Sequence, residues 1–149
     1  MATATAKILY TPEEYLIKER SADFKSEYRD GDIVAMPGAS RQHNLITVNI
    51  SSGLHIQLID RSCEVYTNDM RVKVSDTGLY TYPDVVVVCE EPNFEDNNFD
   101  TLLNPTVIVE VLSPSTETYD RNEKFTSYQT LESLQEYILV SQNNKVVEQ

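Results

Sequence analysis

The chain of 149 residues predicts an α/β fold, with helices packed around a mixed β-sheet. Three observations carry that prediction. Two runs of β-branched residues, Pro83-Asp84-Val-Val-Val-Val and Thr106-Val-Ile-Val-Glu110-Val-Leu112, read as central strands buried on both faces. An apolar stripe at helical spacing runs through residues 42–59. Helical and extended segments alternate along the chain, as in an α/β layer structure.

Residues 1–7 predict a short loose tail, without the apolar core of a secretory signal. Thr11-Pro12-Glu13-Glu14 starts a helix, with threonine as N-cap, proline at N1 and glutamate at N3, and the helix should run to residue 19. Asp30-Gly31 lies between two strand-like runs, 25–29 and 32–36, and predicts a hairpin that Pro37-Gly38 ends. In the long helix Ile46, Ile50, Leu54 and Leu58 form the stripe, Leu45 and Ile56 widen it, and His55 is read as structural. Residues 64–66 and 70–74 predict strands around a turn at Asn68-Asp69.

Residues 83–90 and 106–112 are the two central strands, with a polar acidic loop over 91–104 between them. Ser113-Pro114-Ser115 breaks the second, since proline cannot continue a central ladder. A helix follows over 120–131, with Asp120 and Glu123 in capping-box spacing. Residues 136–141 and 145–148 predict strands around Asn143-Asn144. The last strand has an open edge, so either the natural protein continues or this edge pairs with another chain. With no repeat, low-complexity tract or linker, residues 1–149 read as a single domain.

No run approaches the roughly 18 apolar residues of a membrane span. Cys63 and Cys89 lack CxxC pairing and are expected to be buried, reduced thiols, consistent with a cytoplasmic protein. A formal net charge of −12 argues against a broad nucleic-acid-binding surface, because phosphate contacts need lysine and arginine. A DNA reader with this balance needs a local basic patch, bound metals or a partner subunit. Arg71 and Lys73, alternating along a strand, are candidates for the patch, with an ordinary solvent-facing surface as the other reading.

An ionised carboxylate in a buried strand costs on the order of several kcal/mol unless cations or hydrogen bonds compensate. Two such acids, Asp84 and Glu110, converge at one end of the sheet if their strands are neighbours. Together with a backbone carbonyl they offer hard oxygen ligands suited to Mg²⁺. Asp120, Lys124 and Tyr128 line one face of the following helix. A lysine there can position an attacking water or stabilise charge developing on a phosphate. The plain alternative is a surface Asp120–Lys124 ion pair, worth at most about 1 kcal/mol.

These residues carry a resemblance. Pro83-Asp84, Glu110-Val-Leu112-Ser-Pro-Ser-Thr116, and Asp120 with Lys124 and Tyr128 resemble the Uma-type restriction endonuclease family, part of the PD-(D/E)XK nuclease superfamily. The similarity extends from Thr11-Pro-Glu-Glu-Tyr15 through Glu27-Tyr-Arg-Asp-Gly31 and His43 to Glu136-Tyr137. It implies a restriction-endonuclease-like core with an N-terminal helix and hairpin. It implies Asp84 and Glu110 as metal ligands and the Val111 carbonyl as a third, holding Mg²⁺ or Mn²⁺. The superfamily's lysine normally stands two residues after the glutamate, where this chain has Leu112; the family pattern moves it to the next helix and nominates Lys124. Glu27 matches an early acid that ligates or orients water, its alternative being a solvated strand glutamate. His43 would contact phosphate or transfer a proton, its alternative being a helix-terminal surface residue. The superfamily habit of cutting two strands with two subunits implies a homodimer acting on DNA.

The leading expectation is therefore a Mg²⁺-dependent DNA endonuclease hydrolysing phosphodiester bonds with metal-activated water. Its rival is a non-catalytic nuclease-fold module binding DNA or a protein partner. A third reading makes Lys124 a structural counter-charge for Asp84 or Glu110.

Overall fold

The structure, a computed structural model, describes residues 7–149, so residues 1–6 of the expected tail lie outside the described residues. The elements run α1 (Pro12–Ser21), β1 (Ser26–Arg29), β2 (Asp32–Ala35), α2 (Arg41–Leu58), β3 (Glu64–Thr67), β4 (Arg71–Val74) and β5 (Leu79–Thr81). They continue with β6 (Val85–Val88), β7 (Thr101–Leu102), β8 (Val107–Leu112), α3 (Glu117–Arg121), α4 (Glu123–Tyr128), β9 (Glu136–Ser141) and β10 (Val147–Glu148). The α/β class is as expected, but the strands divide between two five-stranded mixed sheets, ordered β2-β1-β5-β4-β7 and β10-β9-β8-β6-β3.

Local chemistry explains the first elements. The Thr11 hydroxyl accepts from the Glu14 N–H at 3.1 Å while the Glu14 carboxylate accepts from the Thr11 N–H at 3.0 Å, a reciprocal capping box. The helix then buries Tyr15 and Leu16 against Tyr28 and Tyr80 of the first sheet. Asp30 (φ 46°) and Gly31 (φ 94°) make the left-handed turn that joins β1 to β2. A Cβ on Gly31 would also stand 3.0 Å from Leu9 Cδ2, so both backbone and space call for glycine.

Ser40 caps α2, accepting from the His43 N–H at 3.1 Å. Ile46, Ile50 and Leu54 face Val109, Ile138 and Val140 of the second sheet. The stripe is narrower than expected: Leu45 and Ile56 are 47% and 70% exposed, and His55 is exposed rather than packed. In the second sheet β6 and β8 run antiparallel and β8 and β9 parallel, with Val85–Val88 and most of β8 buried.

Other expectations are corrected. The acidic loop contains β7, whose two buried residues pair in parallel with β4, and β5 fills the gap between β1 and β4. The helix expected over 120–131 is broken at Asn122, which sits at φ −116°, ψ −83°. Its side-chain amide donates to the Thr118 carbonyl at 2.7 Å, offering the backbone a local alternative to the helix ladder. Asp120 therefore lies inside α3 and caps nothing. The final strand is shortened to β10.

The cysteines are neither buried nor reduced. The Glu64↔Val88 register of β3 and β6 sets Cys63 opposite Cys89 one step further on, and the two half-buried residues form a disulfide. Their redox state therefore no longer argues for a reducing cytoplasm. Among the described residues no helix is long and apolar enough to cross a membrane.

Candidate active site

The β6–β8 register places the two acids together. Val85 pairs with Val109, so one step back along β6 and forward along β8 Asp84 stands beside Glu110. Asp84 Oδ2 accepts the Val111 N–H at 2.7 Å, and Oδ1 lies 3.3 Å from His43 Nε2. The His43 ring also meets the Val111 backbone, so it sits between an Asp84 oxygen and that backbone. Glu110 Oε1 receives the Tyr128 hydroxyl at 3.2 Å and faces Lys124 Nζ at 3.2 Å.

Lys124 is the hub. Its ammonium, on α4, also reaches Glu27 Oε2 at 3.4 Å and Asp120 Oδ1 at 3.5 Å. Glu27 belongs to β1 of the other sheet and is itself clamped. Arg29 donates to its Oε1 from Nη2 at 2.5 Å and from Nε at 3.1 Å, and the Thr81 hydroxyl holds Oε2. Glu27, Glu110, Asp120 and Lys124 are all buried, so the solvated-glutamate and surface-pair alternatives fail. Asp84, Glu110, Val111, Asp120, Lys124 and His43 line one pocket of about 330 Å³. Glu27 and Tyr128 are absent from its walls and support it from behind.

The charge balance is unequal. Burial pushes the Glu110 carboxyl well above its usual range, and Asp84 and Asp120 add to the effect against the pull of Lys124. Burial likewise raises Asp120, opposed by Lys124 and the Thr116 hydroxyl. Burial also acts to raise Glu27, but Lys124, Thr81 and Arg29 together outweigh it and its pKa falls. Burial alone would lower Lys124, yet Glu110, Tyr128, Glu27 and Asp120 hold it well above its usual value, so it stays charged. The hydrogen bond with Asp84 raises His43, against its partial burial.

This donor set fits a hard divalent cation. One buried ammonium serves three carboxylates, and burial, with the acidic neighbours adding to it, outweighs that ammonium at Glu110. Both protein contacts of Glu110 fall on Oε1. Among the described residues no three His, Cys, Asp or Glu side chains form a ready ligand cage. Mg²⁺ does not need one, because it keeps several waters and is bound through one or two carboxylates plus substrate phosphate.

Arg71 is not part of this cluster and forms no basic patch. It is buried, donating from Nε to Thr101 at 3.0 Å and from Nη1 to the Tyr82 hydroxyl at 2.7 Å, with Asp100 at 3.0 Å from Nη2. Lys73 is likewise occupied by Glu95 at 2.9 Å. The acidic loop thus consumes the cations that the strand pattern offered to DNA. Three neighbours of the site escaped the sequence reading. Arg29 could have been found two residues from Glu27 on the same strand face. Thr81 and Gln142 carry no motif.

A mixed sheet presenting two adjacent acids, with a buried lysine supplied by α4, is the framework of a restriction-endonuclease-like fold. The Uma2 family profile, described as "Putative restriction endonuclease", matches residues 12–148. The chain belongs to that family. It is 45% identical over 142 residues to the uncharacterized protein sll1609 of Synechocystis sp., covering 95% of this chain and 80% of that protein. A second Synechocystis sp. protein, the uncharacterized slr1290, is 43% identical over 131 residues, covering 88% and 68%. The fold matches the crystal structure of a "putative nuclease belonging to DUF820" from Anabaena variabilis with a TM-score of 0.73. That match has 20% identity and covers 89% of this chain and 74% of that one.

Proposed function

We propose that this chain is a Mg²⁺- or Mn²⁺-dependent DNA endonuclease. The observation that carries the reading is the juxtaposition of Asp84 and Glu110 across β6 and β8, with Lys124 Nζ 3.2 Å from Glu110. Asp84, Glu110 and the Val111 carbonyl would hold the cation, which when bound supplies polarisation of a phosphoryl oxygen and acidification of a coordinated water. Lys124, kept charged by its acidic neighbours, stabilises negative charge building on the scissile phosphate. Glu27 and Asp120 fix the direction of that ammonium, and Tyr128 fixes Glu110. His43, held on Asp84 at the pocket wall, would contact the phosphate or take part in proton transfer. The open edge of β10 provides for pairing with a second copy, so that two subunits address two strands.

The test is cleavage of supercoiled and linear DNA in Mg²⁺ or Mn²⁺ by wild type, Glu110→Gln and Lys124→Ala. Activity confined to the wild type supports the reading; equal activity in all three, or none in any, refutes it. The rival, a non-catalytic nuclease-fold module, draws on the net charge of −12. Calorimetric titration separates the two, since the module reading requires no uptake of either cation at millimolar concentration.

A further inference from the structure

Lys25 precedes β1, and its backbone carbonyl accepts the Met36 N–H at 3.0 Å, which places it at the open end of the β1–β2 hairpin. Its ammonium donates to the Asn68 carbonyl at 2.8 Å and to Asp69 Oδ1 at 3.1 Å, and stands 5.5 Å from the centre of the Tyr82 ring. Lys25, Met36, Asn68 and Tyr82 all line the pocket that holds Asp84, Glu110 and Lys124. The ammonium is therefore held at the pocket wall by groups that belong to that wall. A lysine has three N–H donors, and these contacts use two. The Lys25 and Asp69 side chains are 36% and 87% exposed, so their ion pair is screened and weak. The other cations near the site are committed: Lys124 is buried among three carboxylates, and Arg71 and Lys73 are taken by the acidic loop. Residues 33–59 contain no Asp or Glu although the chain carries 24, and positions 36–40 with His43 line the same pocket as Lys25. That segment sets no carboxylate of its own against an anionic strand.

We infer that Lys25 is a substrate-binding residue that holds one backbone phosphate of the DNA strand, next to the phosphate that reaches Lys124. This rests on the proposed function, because the strand must enter the site pocket to pass Lys25. An ammonium only donates, and a phosphate oxygen is the acceptor that also brings a compensating charge. Contacts of this kind fix the register of the strand and carry no sequence information. Lys25 thus contributes affinity and position but no choice of base. It is also the local cation that a chain of net charge −12 needs to draw a nucleic acid to an acidic pocket.

The experiment measures binding of a fluorescein-labelled DNA oligonucleotide, as single strand and as duplex, in Ca²⁺, which takes the same hard oxygen ligands. Lys25→Met should bind about ten-fold more weakly than wild type, the worth of one charge-assisted hydrogen bond, and Lys25→Arg should keep most of the affinity. The slope of log K against log salt should fall by roughly 0.7–0.9 in Lys25→Met, as for one lost phosphate contact. The oligonucleotide is then supplied with one phosphate at a time replaced by a neutral methylphosphonate. At one position the loss seen in wild type should vanish in Lys25→Met. Asp69→Asn, which frees the ammonium of its competing carboxylate, should bind as tightly as wild type or more so. A Lys25→Met protein with unchanged affinity and salt slope, a loss that no methylphosphonate position shares, an equal loss in Asp69→Asn, or no binding of either DNA form by wild type overturns the inference. Binding that depends on Lys25, by a wild type that cleaves nothing in Mg²⁺ or Mn²⁺, refutes the endonuclease reading and leaves the assignment of Lys25 standing.

Discussion

Replacing Lys124 with methionine keeps an unbranched side chain one atom shorter and removes the charge that three carboxylates share. At separations of 3.2, 3.4 and 3.5 Å each contact is worth about 5 kcal/mol at an effective dielectric near 20. Most of this offsets the cost of burying the ammonium and its partners. The protein can recover more, because Glu110 is already pushed towards its neutral form and takes up a proton. What is left is the usual penalty for removing one member of a buried ion network, about 3–5 kcal/mol. In a domain of this size that lowers the melting temperature by roughly 10 °C. Glu110→Gln should behave in the opposite way in metal-free buffer, staying within about 1 kcal/mol of wild type or above it, since it removes a charge that burial disfavours and acidic neighbours repel. Urea unfolding in EDTA measures both. A Lys124→Met protein as stable as wild type, or a Glu110→Gln protein that loses as much as Lys124→Met, would refute the electrostatic account.

Millimolar Mg²⁺ should raise the melting temperature of wild type but not of Glu110→Gln, with about 2.7 kcal/mol gained at a hundred-fold excess over the dissociation constant. Hydrogen bonding from Arg20 holds the Asp100 carboxyl down to about 2, so its stabilisation is complete above the unfolded pKa and is lost as pH falls through the folded value. Asp100→Asn should accordingly cost about 1 kcal/mol at neutral pH, after allowance for solvent screening, and the gap to wild type should close between pH of about 4 and 2 in urea titrations. Cys63→Ser should lower stability by about 3–4 kcal/mol under oxidising conditions, from the closed loop of 26 residues, and by much less in dithiothreitol.

Legibility followed the range of each interaction. The capping box, the Asp30-Gly31 turn and the valine-rich strands are short-range signals, and each appears where the sequence predicts it. What the pattern could not supply was pairing. β7 has only two residues and looks like loop until β4 lies beside it, and the Cys63–Cys89 pair exists only through the β3–β6 register. Arg71 was misjudged for the same reason. Strand alternation gives the direction of a side chain but not what waits there, and Asp100, Thr101 and Tyr82 all come from distant segments. In the site, Asp84 and Glu110 were readable as misplaced charges in apolar runs. Glu27 was legible only by family resemblance, because its neighbour Lys124 is brought to it from the other end of the chain.

That last contact has a consequence for how the cluster comes into being. Asp84 and Glu110 belong to the sheet built largely from the second half of the chain, whereas Glu27 stands on the sheet that holds the N-terminal hairpin. Lys124 spans the two. Neither half can assemble the full group of charges alone. A nascent or partly unfolded chain therefore lacks the complete cluster, which comes together only when the two sheets dock.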